Sequence, residues 1–183
     1  MYDIGHALEA QATAYGAQIN DIVSCSWGPL DDGMHVEGPS ELVQRALLDR
    51  VLHGRGGKGT VFVTASGNGG RSQDDCNYDG YANAIFTATI GAVGPDLRRM
   101  PFTEHCSAQL ASVYGPSPRQ PVTTTDIFLL QDDQGADPNR ACTSAHAGTS
   151  AAAPLATGIY ALALSARSAL LSRSRITGRI DND

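Results

Sequence analysis

Residues Thr60–Gly70 read TVFVTASGNGG. An apolar, β-branched run passes directly into a turn in which Gly67, Gly69 and Gly70 surround Asn68. That pattern predicts a buried strand with an abrupt end. Upstream, GPSELVQRALLDRVLHG (Gly38–Gly54) predicts a helix. Pro39 and Ser40 open it, Leu42, Ala46, Leu47 and Val51 recur at helical spacing, and Gly54 closes it. Before it, DIVSCSW (Asp21–Trp27) reads as a strand and GHALEAQATAYG (Gly5–Gly16) as a helix. Downstream, AIFTATIGAV (Ala84–Val93) is a third apolar strand, and ASVYGPS (Ala111–Ser117) and PVTTTDI (Pro121–Ile127) are weaker ones. SAAAPLATGIYALALSARSALL (Ser150–Leu171) predicts a long apolar helix, central and buried. Strands alternating with helices predict an α/β domain with a largely parallel sheet.

The 183 residues suit one domain with its own core. A formal net charge of −6 argues against nucleic acid and anionic membranes as partners and leaves basic ligands open. No apolar run reads as long enough to span a bilayer. The opening MYDIGHALEA has neither a basic region nor an apolar one of the signal-peptide kind, and no membrane anchor is read in the chain. GRGGKGT (Gly54–Thr60) superficially resembles a phosphate loop, but Gly59 separates Lys58 from Thr60 and the segment leads from helix into strand, so no nucleotide is expected. Cys25, Cys76, Cys106 and Cys142 show no Cys-x-x-Cys spacing. Cys25 lies in a strand pattern and reads as a small core residue, and the other three lie in polar sequence.

In parallel sheets chemistry gathers at the carboxyl ends of strands. Three loops there stand out: SWGPLDDG (Ser26–Gly33), ASGNGGRSQDDCNYDGY (Ala65–Tyr81) and HAGTSAAAP (His146–Pro154). Ser150 sits where a helix begins, beside unpaired backbone N–H groups that favour developing negative charge. Its small neighbours Gly148 and Ala151 to Ala153 admit a substrate backbone, although Thr149 or Ser150 could equally be a simple helix cap. Asn68 could donate its amide to an oxyanion, or merely occupy a turn. Asp31, Asp32, Glu37, Asp74, Asp75 and Asp79 fall in two of the loops. Carboxylates so concentrated repel unless a cation intervenes, and a substrate Arg or Lys, or calcium, fits that need. A solvated acidic surface is the plainer reading for Asp32 and Asp75.

Taken together, SWGPLDDG, ASGNGG, CNYDGYAN, VTTTD and GTSAAAPLATGI resemble the subtilisin-like serine proteases (peptidase S8), and more narrowly their proprotein convertase branch, the kexin and furin type. The resemblance covers roughly Asp3 to Ala163. It implies a subtilisin-like three-layer α/β fold over residues 1–166, followed by a divergent polar tail at 167–183. It implies Ser150 as nucleophile and Asn68 as oxyanion-hole donor. Ser26, Trp27 and Gly28 would form a backbone edge for an extended substrate. Ala65, Ser66 and Gly67 would wall the first pocket, Asp31 and Asp79 would face a substrate Arg, and Glu37 a second basic residue. Calcium is assigned to Asp31, Asp74 and Glu104, and a disulfide to Cys76 and Cys106. The implied activity is calcium-dependent endoproteolysis of precursor polypeptides after paired basic residues, in the secretory pathway.

The Ser-His-Asp mechanism needs an imidazole base and an orienting carboxylate. In this family both lie well upstream of the motifs found here, as does the usual partner of Cys142. Asp31-Asp32-Gly33 lies in the binding loop and does not supply the triad carboxylate. His6 lacks the Gly-Thr of the family's motif and reads as a helix-surface residue, His35 lies in the acidic loop and could bind substrate or nothing, His53 ends a helix, His105 adjoins the implied disulfide, and His146 corresponds to a second histidine the family carries beside its catalytic one and reads as structural. The chain therefore reads as the C-terminal portion of a catalytic domain. Two expectations follow: a catalytically incomplete chain that keeps an acidic peptide-binding groove, and an exposed sheet edge where upstream strands would pair.

Overall fold

A computed structural model describes residues 5–117, 120–125 and 142–166. Helix α1 spans His6–Ala14, strand β1 Ile22–Cys25, helix α2 Glu41–Gly57, strand β2 Val61–Ala65 and strand β3 Thr87–Val93. Strands β4 (Gln109–Tyr114), β5 (Val122–Thr125) and β6 (Cys142–His146) follow, and helix α3 (Thr149–Ala166) comes last. Strands β1 to β4 form one all-parallel sheet in chain order, and β5 pairs antiparallel with β6.

Strand alternation sorts the core into two layers on opposite faces of the sheet. Val63 and Ala65 of β2, with Ile90 and Ala92 of β3, pack against Ala152, Ala153 and Ala156 of α3. Phe62 of β2 turns the other way, into a cluster with Ala10 of α1 and Val43, Leu47 and Val51 of α2. The result is the helix–sheet–helix layering that the sequence predicts.

Ser40 caps α2, its Oγ accepting the Val43 N–H at 3.4 Å. Regular helix stops at the backbone of Gly54, Arg55 and Gly56, as the glycine there predicts. The buried face differs from expectation: Val43, Leu47, Arg50, Val51 and Gly54 point inward, while Leu42 is exposed. Arg50 is 1% exposed and ties α2 to its neighbours. Its Nη1 donates to the carbonyls of Ala14 (3.3 Å) and Tyr15 (2.6 Å), and its Nε to Thr60 Oγ1 (3.2 Å). Its Nη2 has no partner among the described residues.

Helix α3 departs from a central, buried helix. Thr149, Ala151, Ala152, Ala153 and Ala156 are buried on the sheet, but Leu155, Ile159 and Leu162 are 45%, 60% and 73% exposed. By length and composition α3 could cross a bilayer, contrary to the sequence expectation, yet its alanine-rich face packs against β2 and β3 instead. Among the described residues β1 is paired on one side only. Cys25 is half-buried, and burial pushes its thiol up to about 11. Cys142 lies exposed on β6, a strand its polar sequence CTSAH does not announce. The tail from Arg167 lies outside the described residues.

Candidate active site

Ser150 occupies the first turn of α3, immediately after Gly148, whose φ of +79° suits glycine. A Cβ on Gly148 would also stand 2.6 Å from Asn68 Oδ1. Helix and β1 terminus are stitched together twice: Ser26 Oγ donates to the Ser150 carbonyl (3.1 Å), and Ser150 Oγ donates to the Ser26 carbonyl (3.4 Å). Among the described residues no imidazole hydrogen-bonds Ser150 Oγ. His146 is on β6, opposite Val122.

Asn68 follows β2 and precedes a short 3₁₀ turn, Gly69–Ser72. Its Oδ1 accepts the Thr149 N–H (2.8 Å) and the Thr149 hydroxyl (3.2 Å). A backbone N–H can only donate, so the atom facing it must be the amide oxygen. The Nδ2 donor is thereby left for another acceptor, and it lies 3.4 Å from where a Cβ on Gly148 would stand. Thr149 Oγ1 reaches the Gly67 carbonyl as well (3.1 Å), locking the turn to the helix.

The two acidic loops lie side by side. Gly80 donates to the Glu37 carbonyl (2.7 Å), and Gly38 and Gly80 approach so closely that a Cβ on either would fall within 3 Å of the other's Cα. A Cβ on Gly28 would meet Asp79 Oδ2 at 3.0 Å, so this carboxylate lies against half-buried Gly28, next to exposed Ser26 and Trp27. Burial raises the Asp79 carboxyl above its usual range, against the pull of the Tyr81 N–H (2.8 Å), and the charges of Asp31 and Asp74 add to the rise. Ala65 and Ser66 are buried, and Ser66 Oγ has no partner among the described residues.

Tyr81 and Glu9 belong to this neighbourhood and escaped the sequence reading. Tyr81 stacks edge-on against Trp27, with ring centroids 4.8 Å apart, and its hydroxyl donates to Glu9 Oε1 (2.6 Å). Burial, then Glu9, Asp79 and Glu37, raise the Tyr81 phenol well above its ordinary value. A pairing 72 residues apart leaves no local signal.

Asp31, Asp74 and Glu104 bring carboxylate oxygens within 4.8 Å of one another. Glu104 is only 4% exposed, and burial, with the charges of Asp31, Asp74 and Asp79, pushes it up to about 7 despite the Gly69 N–H it accepts. Three hard oxygens with uncompensated repulsion fit a cation of the calcium type. Asp32 lies aside from the three, held below its usual range by His35 at 2.8 Å, so its acidity is spent locally. Cys76 and Cys106 are joined in a disulfide that ties the Asp79 loop to the segment carrying Glu104.

Residues 2–180 match the family model described as "Subtilase family". The "Dibasic-processing endoprotease" of Schizosaccharomyces pombe is 49% identical over 164 residues, 90% of this chain and 22% of the relative. "Kexin" of Saccharomyces cerevisiae is 47% identical (90% and 19%), and "Proprotein convertase subtilisin/kexin type 7" of Homo sapiens is 51% identical over 170 residues (91% and 21%). The chain thus spans about a fifth of the length of these relatives. Among solved structures, the Aeromonas sobria serine protease in complex with its chaperone aligns with a TM-score of 0.75 at 18% identity, covering 93% of this chain and 35% of that one. A cold-adapted subtilisin-like serine proteinase aligns at 0.66, also at 18% identity, over 93% and 52%. The parallel sheet, its helical layers and this sequence match agree: the chain belongs to the subtilase family, with kexin-type proprotein convertases among its relatives.

Proposed function

We propose that this chain contributes the nucleophile, oxyanion donor and basic-residue pocket of a serine endopeptidase that cleaves precursor polypeptides at paired basic residues. The observation that carries the reading is the Asn68–Thr149–Ser150 arrangement, in which Thr149 takes the amide oxygen and leaves Nδ2 without an acceptor among the described residues, next to Gly148 at the start of the serine helix. During acyl transfer Ser150 Oγ would attack the scissile carbonyl as its proton passes to an imidazole base that no described residue supplies; that base would return the proton to the leaving amine as the C–N bond breaks, while Asn68 Nδ2 and the helix N-terminus stabilise the oxygen that gains negative charge. Ser26, Trp27 and Gly28 hold the substrate as an added extended strand, and Ala65, Ser66 and Gly67 form the facing wall. Asp79 and Asp31 receive the guanidinium at the cleavage position. Glu37, with Glu9 close to it through Tyr81, receives the second cation.

Calcium held by Asp31, Asp74 and Glu104 would supply the charge that lets three carboxylates share one site. The disulfide between Cys76 and Cys106 supports maturation in the oxidising secretory pathway. The relatives' printed names, dibasic-processing endoprotease among them, support the substrate class. We assign the catalytic-domain role to residues 1–166 and none to 167–183.

Fluorophosphonate labelling tests the nucleophile. In a preparation that also supplies an imidazole base to the site, Ser150 is expected to label and Ser150→Ala not, with an Arg-x-Lys-Arg peptide cleaved alongside. Labelling elsewhere on the chain would refute the assignment. A second reading, a groove that binds basic peptides without hydrolysing them, is favoured by the lack of an imidazole on Ser150 Oγ among the described residues. It predicts that the peptide binds and is recovered intact.

Asp79→Asn checks the pocket under either reading. Losing one member of a desolvated charge pair costs about 2 kcal/mol or more, so affinity for the Arg peptide should fall roughly 30-fold or further. Affinity for a peptide with norleucine in place of that Arg should barely change. Equal losses for both peptides would remove Asp79 from the pocket.

A further inference from the structure

The connection between β3 and β4 carries the sequence Pro95-Asp96-Leu97-Arg98-Arg99-Met100. Arg98 and Arg99 are the sole adjacent pair of basic residues in the 183-residue sequence. Pro95 to Arg99 are all exposed, Leu97 at 69% and the Arg98 side chain at 87%. Exposed loop tips are where endoproteases nick folded chains. Little holds this one shut. The Leu97 N–H donates to the Gly94 carbonyl (2.9 Å) and the Gly94 N–H to the Arg98 carbonyl (2.8 Å), but the Met100 N–H reaches the Ala92 carbonyl only at 3.5 Å. The Arg98 N–H donates to Asp96 Oδ1 (3.2 Å), and the exposed Arg98–Asp96 ion pair, at 3.7 Å, adds little. Leu97 sits at φ +62°, a left-handed conformation that a side chain disfavours and that opening relieves. Arg99 Nη1 donates to the Thr103 carbonyl, a tie the side chain must give up.

We propose that the Arg99–Met100 bond is a cleavage site for a serine endopeptidase specific for paired basic residues, with this chain as its substrate, and that the cut product stays assembled. The enzyme is a second molecule, so the site stands apart from whether Ser150 is active. Consecutive side chains of an extended segment point to opposite faces, so Arg98 and Arg99 present two guanidinium groups to separate carboxylates. Hydrolysis consumes one water: its hydroxyl joins the Arg99 carbonyl carbon, the C–N bond to Met100 breaks, and the Met100 nitrogen leaves as an amine with the proton. The cut places Asn68 with residues 1–99 and Ser150 with residues 100–183. Strands β3 and β4 still pair in parallel, from Thr89 with Gln109 to Val93 with Tyr114. Thr103 Oγ1 donates to the Ala92 carbonyl (3.0 Å) and the Gly70 N–H to the Phe102 carbonyl (3.0 Å), holding the new end in place. The Cys76–Cys106 disulfide spans the cut, while Cys25 and Cys142 are free. After cleavage that bridge is the only covalent link between the two pieces, so a reducing environment unties them.

The test uses the full 183-residue chain carrying Ser150→Ala, incubated with a purified endoprotease specific for paired basic residues. A peptide of residues 94–103 serves as the freely accessible reference. Intact mass spectrometry should show one cut after Arg99: the unreduced chain gains the mass of one water, and reduction splits it into residues 1–99 and 100–183. Amide exchange should show β2 and β3 as protected in the nicked chain as before. Arg99→Gln should slow the cut about 30-fold or more, the effect of deleting one partner of a desolvated charge pair. Cleavage of the peptide but not of the chain would show that the loop stays closed and overturn the site. So would a first cut elsewhere, an uncut peptide, or Arg99→Gln cut as fast as its parent. Unprotected β2 and β3 amides in the nicked chain overturn the assembled product.

Discussion

Asn68→Ala is expected to lower the turnover of a basic peptide by about 10²- to 10³-fold, the range for loss of one oxyanion donor. Peptide affinity should change little, because in the proposed role Nδ2 acts on charge that develops only as the carbonyl is attacked. Alanine also deletes the acceptor used by Thr149, so Asn68→Asp is the sharper variant. A carboxylate oxygen there still accepts the Thr149 N–H, but it presents a second acceptor where the donor stood. Asn68→Asp should match the alanine variant in lost turnover while melting closer to wild type. Retention of turnover within a few-fold by Asn68→Asp would show that the residue serves only to cap α3.

The second large effect concerns Arg50. Replacing it with Met keeps most of the side-chain volume but removes the donors to the Ala14 carbonyl and to the buried Thr60 hydroxyl just before β2, and leaves the Tyr15 carbonyl only the Asn20 amide at 3.4 Å. Hydrogen bonds to charged donors contribute roughly 1.5–3 kcal/mol each, and relief from guanidinium desolvation offsets part of that. A net loss of about 2–4 kcal/mol is expected in urea unfolding. Arg50→Lys should recover little, since one ammonium cannot span the acceptors that the planar fork reaches. An Arg50→Met chain as stable as wild type would mean that desolvation cancels the three bonds.

Arg50 also shows where sequence reading stops. A charge at helical position 50 reads as surface, because burial of a guanidinium depends on acceptors delivered by α1 and β2, which are distant in sequence. On α2 the expected Leu47 and Val51 are buried and Ala46 packs beside them, but Val43 stands in the core where Leu42 is expected. Leu42 and Val43 are both apolar, and only the docked position of α1 and β1 decides which turns inward. By contrast, β2 and β3 were legible from apolar content, and the turn at Gly67–Gly70 from the glycines that let the chain pass close to Glu104 and Asp74. The polar strand β6 was not, since its pairing with β5 buries little. Asp31 and Asp74 belong to the acidic loops whose charge asks for a cation, Glu104 joins them only through family resemblance, and the structure brings the three sets of oxygens together. Glu9 and Tyr81 stayed hidden because one sits on a helix surface and the other in a loop, and neither segment refers to the other.

The sheet's strand order equals its chain order, and this bears on synthesis. Each strand from β1 to β4 can be laid beside its predecessor as it emerges, so the sheet can grow in one direction without waiting for distant partners. Ser150 arrives last, 124 residues after Ser26 and more than eighty after Asn68. Until α3 docks, the groups that would receive and stabilise a peptide are already mounted on the sheet while the nucleophile is still free in solution. On the proposed function, a nascent chain of this kind would pass through a stage at which it can grip a basic peptide but has nothing with which to attack it.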